Sequence, residues 1–111
     1  MKLIITVALL SGPVLTAGKL VYYKGECENS VVTVGSNSIV TENDEDKTAS
    51  ACNQLGGKFC DRGCVIAGDK KTPDVTETSW KAACTAAGAD EADLFGRDHF
   101  TQEDIENLAG C

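Results

Sequence analysis

Leu20-Val21-Tyr22-Tyr23-Lys24 is a run of β-branched and aromatic residues that predicts a first strand, ending at Gly25. Val31-Val32-Thr33-Val34 and Ser38-Ile39-Val40-Thr41 flank Gly35-Ser36-Asn37, and turn formers between two β-branched runs predict a hairpin. The spacing then becomes helical. Asn43 is placed to cap a helix from Asp44 to Leu55, with Asp44, Glu45 and Asp46 at the positive end of its dipole. Ala49, Cys52 and Leu55–Gly56 make up its inward face. Gly56-Gly57 stops it, because glycine enters the left-handed conformation that closes a helix without a Cβ clash.

Lys58-Phe59-Cys60 and Val65-Ile66-Ala67 supply further strand material, with a turn or bulge at Asp61-Arg62-Gly63. A polar loop spans Gly68 to Asp74. The next helix is expected from Glu77 to Ala87, capped by Thr76, with Val75 stapled onto Trp80. Trp80, Ala83, Cys84 and Ala87 form its buried stripe. Ala89 to Phe95 reads as a short acidic turn of helix. A last helix is expected from Gln102 to Ala109, with Thr101 as cap, Asp104 at N3 and Phe100 stapled to Ile105. The order of elements predicts an α+β fold: a small disulfide-stapled sandwich, with an antiparallel sheet and two main helices on one face.

Composition adds a compartment. Met1 to Ala17 has a basic Lys2, an apolar run from Leu3 to Leu10, a Gly12-Pro13 break and small residues before the expected cleavage point, which reads as a signal peptide. Its apolar run is about half the roughly 20 residues that span a bilayer. Residues 18–111 are then a single secreted domain. All six cysteines (Cys27, Cys52, Cys60, Cys64, Cys84 and Cys111) lie in it, and an even number in a short exported chain predicts a full set of disulfides. Each is worth about 2–4 kcal/mol, comparable with the margin of so small a domain. Distances along the chain favour Cys52–Cys60 across the helix stop, Cys64–Cys84 between sheet and second helix, and Cys27–Cys111 closing the chain. A cysteine at the carboxyl end must be bridged to hold the last helix down.

With Lys2 removed, nine basic residues stand against 17 acidic ones, a net charge of −8. Nucleic acid and anionic membrane both call for a basic face, so neither is an expected partner, and no membrane insertion is expected. A monomer is expected. Cys60-Asp61-Arg62-Gly63-Cys64 has neither the paired spacing nor the histidines of a zinc site, so no metal or other cofactor is implied. His99 is the only histidine, no serine sits in a Gly-x-Ser-x-Gly elbow, and thiols oxidise in this compartment. Arg97-Asp98-His99 sets a base beside a carboxylate and a cation, but consecutive residues point in different directions. The chain is not expected to be an enzyme, and no catalytic residue is assigned.

Thr33-Val34-Gly35-Ser36-Asn37-Ser38 resembles a short stretch of the small secreted guanyl-specific ribonucleases of fungi. That family continues Tyr-Pro-His, with a catalytic histidine, where this chain has Ile39-Val40-Thr41; the resemblance therefore implies at most a catalytically silent relative. The broader resemblance is to fungal small secreted cysteine-rich proteins, including plant-pathogen effectors with a killer-toxin-like α/β fold. It rests on the signal peptide, the length, the six cysteines with Cys111 terminal, and a helix with Cys52 followed by a strand with Cys60. It implies a secreted, extracellular virulence effector that binds a host protein. The alternative it leaves is an antimicrobial or killer-type toxin.

Overall fold

The structure, a computed structural model, describes residues 19–33, 35, 38–97 and 99–111. The signal peptide expected over Met1–Ala17 lies outside these residues, as do positions 34, 36 and 37 of the expected hairpin turn.

Alternation decides the first element. Val21, Tyr23, Gly25 and Cys27 are buried, the residues between them are half-buried, and this period of two runs straight through Gly25. Strand β1 therefore spans Leu20–Thr33, and the strands expected on either side of Gly25 are one. Gly25 ends nothing; it makes room. A Cβ there would lie 2.5 Å from Trp80 Cε2. The indole covers the glycine and donates from Nε1 to the Glu26 carbonyl at 3.2 Å, with Trp80 only 1% exposed as the expected core anchor.

The remaining strands are β2 (Ser38–Asn43), β3 (Lys58–Cys60), β4 (Gly63–Asp69) and β5 (Glu91–Arg97), all antiparallel to their neighbours. Tyr22 to Gly25 pair with both β4 and β5, so those two strands lie on opposite edges of β1. Glu28 pairs with both Asn43 and Glu91, so β2 follows β4 along one edge while β5 holds the other. β3 pairs outside β4 through a tight turn at Asp61-Arg62.

The handover from β4 to β2 leaves Cys27 without a strand partner on that edge, and helix α1 (Glu45–Gln54) supplies one. The Asp44 N–H donates to the Cys27 carbonyl, while the Thr48 hydroxyl accepts from the Cys27 N–H and donates to the Asp44 carbonyl, each at 2.8 Å. Thr48 is completely buried. The cap is Asp44 rather than Asn43, which still belongs to the β2 ladder; the Asp44 carboxylate accepts from the Lys47 N–H and from Asn29 Nδ2. The inward face is Thr48, Ala51 and Cys52, and Leu55 is exposed, so the Ala49–Leu55 face expected from spacing is rotated.

Helix α2 spans Pro73–Ala86, starting four residues before the expected Glu77, because Pro73 at N1 is pre-set for helical φ. Thr76 is buried against Gly68 and caps nothing, and Val75 is 61% exposed rather than stapled onto Trp80. Ala89 to Phe95 is not helical either. Glu91–Arg97 alternates exposed and half-buried residues as β5, with Ala92 and Leu94 turned to the core. Helix α3 (Gln102–Leu108) forms as expected, with Thr101 and Asp104 in a capping box.

The result is an α+β fold with α1 and α2 on one face of the sheet, over Val21, Tyr23, Cys27, Cys64 and Ile66. The short α3 packs on the other face at one end, where Ile105 and Ala109 meet Val65, Tyr22 and Phe100. All six cysteines are bridged, as Cys27–Cys84, Cys52–Cys64 and Cys60–Cys111. None of the three expected pairings is present. Register explains it: Phe59 lies opposite Cys64, so Cys64 faces the helices while Cys60, one residue on from Phe59, faces away. Cys52 on α1 therefore meets Cys64, Cα to Cα at 5.5 Å, and Cys60 is left for Cys111 beyond α3, at 5.1 Å. Cys27, on the helix side of β1, takes Cys84 of α2 at 5.4 Å.

Thr48→Val keeps the shape of the side chain and strands a buried N–H on β1. It is expected to cost about 1–3 kcal/mol in denaturant unfolding with the disulfides intact, and Thr48→Ser markedly less. Equal stability of the valine variant and the parent would contradict this account of the strand handover.

Candidate functional site

The helices leave most of one sheet face uncovered, although on β1 the side chains of Lys24 and Glu26 are only 21% and 18% exposed. Along β1 the residues on that face are Lys24, Glu26, Glu28, Ser30 and Val32, and α3 reaches only the Tyr22 end. The β1–β5 register sets Glu26 directly opposite Asp93 and Glu28 directly opposite Glu91. Four carboxylates thus form a band in two adjacent like-charge cross-strand pairs, an arrangement that is destabilising by itself. Among the described residues one cation pairs with them: Lys24 Nζ lies 2.7 Å from Glu26 Oε2. Burial first, and then the carboxylates of Asp93, Glu26 and Glu91, raise the Glu28 carboxyl above its ordinary value. At one end of the band Phe95, 46% exposed, packs its ring against Phe100 with centroids 5.1 Å apart. At the other, Val32 and Ile39 stand opposite each other across β1 and β2, 65% and 69% exposed.

A second feature is a cleft of about 450 Å³ beside β4, between the Leu55–Lys58 turn, the start of α2 and Glu106 of α3. The β3 ladder stops at Val65, so the next stretch of the β4 edge forms the cleft floor, with Ile66 and Ala67. The Lys70 N–H donates to the Lys19 carbonyl, which fixes the phase of the β1–β4 ladder and turns the N–H and C=O of Ala67 into the cleft. Leu55 and Val75 give it an apolar rim, and Lys58 and Glu106 pair across it at 3.7 Å.

His99 is exposed and lines a shallow depression with Phe100, Asp104, Asn107 and Leu108, whereas Arg97 lines another with Pro73, Asp74 and Glu77. The two do not share a site, and Asp98 lies outside the described residues. Among the described residues no three His, Cys, Asp or Glu side chains are gathered so as to hold a metal ion, and no helix is long and apolar enough to cross a membrane. Every cysteine is committed to a bridge, which leaves no thiol nucleophile.

Of the acidic band, Glu91 and Asp93 read by sequence as part of an acidic turn of helix, and Glu26 and Glu28 do not stand out at all. A usable signal is present in both strands: Tyr23-Lys24-Gly25-Glu26-Cys27-Glu28 and Glu91-Ala92-Asp93-Leu94 each alternate charged with small or apolar residues, the mark of a half-buried strand with acids on one side.

Glu28→Gln tests the electrostatics. Because the folded-state carboxyl titrates above its unfolded value, its ionised form weakens the fold at neutral pH, and the penalty vanishes as pH falls through the raised pKa. Solvent screens a carboxyl that is only half-buried, so the variant is expected to be more stable than the parent at pH 7 by only about 0.2–0.5 kcal/mol, with the difference closing in acid. Lower stability of the variant at neutral pH would contradict it.

Comparison with known protein families, with curated proteins and with solved structures finds no match to this chain.

Proposed function

We propose that this cysteine-rich chain is a secreted effector that acts without catalysis, by binding a host protein through the open face of its sheet. The reading rests on one observation, the cross-strand pairing of Glu26 with Asp93 and Glu28 with Glu91 on the face that α1 and α2 leave uncovered and α3 covers only at one end. Carboxylates held in like-charge register cost stability, and a lysine- or arginine-bearing surface laid against them would relieve that cost and steer the encounter. The partner surface is therefore basic. Exposed apolar side chains at both ends of the band, Phe95 and the Val32–Ile39 pair, supply the desolvated contacts that charge alone does not give. The same charge disfavours phosphate backbones and anionic lipid, which makes a membrane-directed toxin the weaker reading. The host setting comes from the resemblance to fungal small secreted cysteine-rich proteins, and three bridges suit a protein that must survive extracellular proteases.

The test is deletion of the gene, scored as growth alone against growth in a host, with complementation by the parent and by the double variant Glu26→Lys, Asp93→Lys. The deletion is expected to impair growth in the host only, and the charge-reversed protein, secreted and folded, is expected not to restore it. A deletion phenotype in the absence of a host, or full rescue by the charge-reversed variant, would contradict the proposal. So would hydrolysis of RNA, glycan or peptide by the purified protein that His99→Ala abolishes.

A further inference from the structure

The β1–β2 hairpin projects past the end of β5, and from residue 31 to residue 41 it contains no charged side chain, although 24% of the chain is charged. Every residue of β2 is exposed, and β1 is its only strand neighbour among the described residues. Exposed strand edges are usually protected from pairing with other chains by charge, by shortness or by a covering group. The other edges here are protected. β5 includes Glu91, Asp93 and Arg97; β3 has only three residues and starts at Lys58. On the β5 side of β1, the Asp90 carboxylate takes the Ser30 N–H at 2.9 Å. Ser38 to Thr41 of β2 have no such protection.

The hydrogen-bonding phase of that edge is fixed. The bond from Asp44 N–H to the Cys27 carbonyl continues the β1–β2 ladder, so the alternation turns the N–H and C=O of Ile39 and Thr41 outward. We propose that this edge takes a second copy of the chain, β2 against β2 antiparallel, about a two-fold axis that sets Ile39 opposite Ile39 of the other copy. An axis perpendicular to the sheet requires the same face of both copies to be aligned, and this register meets that requirement. It joins Val32, Ile39 and their two symmetry mates into one apolar row across the open face, built from two of the most exposed large apolar residues of the chain. Charge selects the occupant. Two copies of a protein with net charge −7 repel at most approaches, but here the nearest carboxylates, those of Glu42, are offset by six residues along the strands. That offset is about 20 Å, more than twice the roughly 8 Å Debye length at physiological salt. The pairing closes on itself, so it gives a dimer and not a chain of copies. It stands independently of the proposed host contact and differs from the monomer expected from the sequence.

Sedimentation equilibrium of the full secreted protein, from micromolar to near-millimolar concentration, tests it. The parent is expected to move from one copy to two, more readily at high salt, where the remaining repulsion is screened. Ile39→Lys, which apposes two like charges at the axis, is expected to weaken association by about tenfold or more. Ile39→Pro, which removes the outward N–H at the axis and no bond to β1, is expected to weaken it likewise. Both variants should keep the circular dichroism of the parent. A parent that stays monomeric throughout, assemblies larger than two copies, or undiminished association of folded Ile39→Lys would each overturn the proposal.

Discussion

The arrangement depends on what happens at Cys27. Its N–H goes to the Thr48 hydroxyl, its carbonyl to the Asp44 N–H and its sulfur to Cys84, so a single strand residue is tied to both helices that cover the sheet. Without those bonds β1 would have an unpaired, buried peptide group at the point where β4 gives way to β2, a cost of the order of a full desolvation penalty. With them, one strand of 14 residues holds three partners and gives the sheet two distinct faces. Everything else follows from which face a side chain is on.

The helix face is dry. Gly25 admits the Trp80 ring, Gly68 admits Thr76, and two fully buried disulfides, Cys27–Cys84 and Cys52–Cys64, fix α2 to β1 and α1 to β4. The opposite face is covered at one end only, by α3 and the more exposed Cys60–Cys111 bridge. Between α3 and the hairpin lies the acidic band. A face held rigid from behind and left uncovered in front can retain mutually repelling carboxylates, because the core does not depend on them.

Much of this was legible locally. The capping box of α3, the turn at Asp61-Arg62, the core position of Trp80 and the α+β class all follow from short-range patterns, and all are present. What was not legible needed a partner strand. Glu91 to Arg97 has helix-forming Ala, Glu and Leu, and only pairing with β1 makes it a strand. Gly25 looked like a strand end because the indole that fills its place comes from residue 80. The start of α2 was set by Pro73, whose fixed φ counted for more than the cap chemistry at Thr76. The disulfide pairing differs from expectation for a related reason: separation along the chain does not fix which side of the sheet a cysteine faces. The acidic band shares that origin, since Glu26 and Glu28 meet Asp93 and Glu91 only through register.

Cys60 and Cys64 are four residues apart and face opposite sides of the sheet, which is the central claim in its simplest form. Peptide mapping of the non-reduced protein tests it directly. The account predicts fragments linking Cys27 to Cys84, Cys52 to Cys64 and Cys60 to Cys111. A fragment linking Cys52 to Cys60 would put Cys60 on the helix side and contradict the register from which both faces are built.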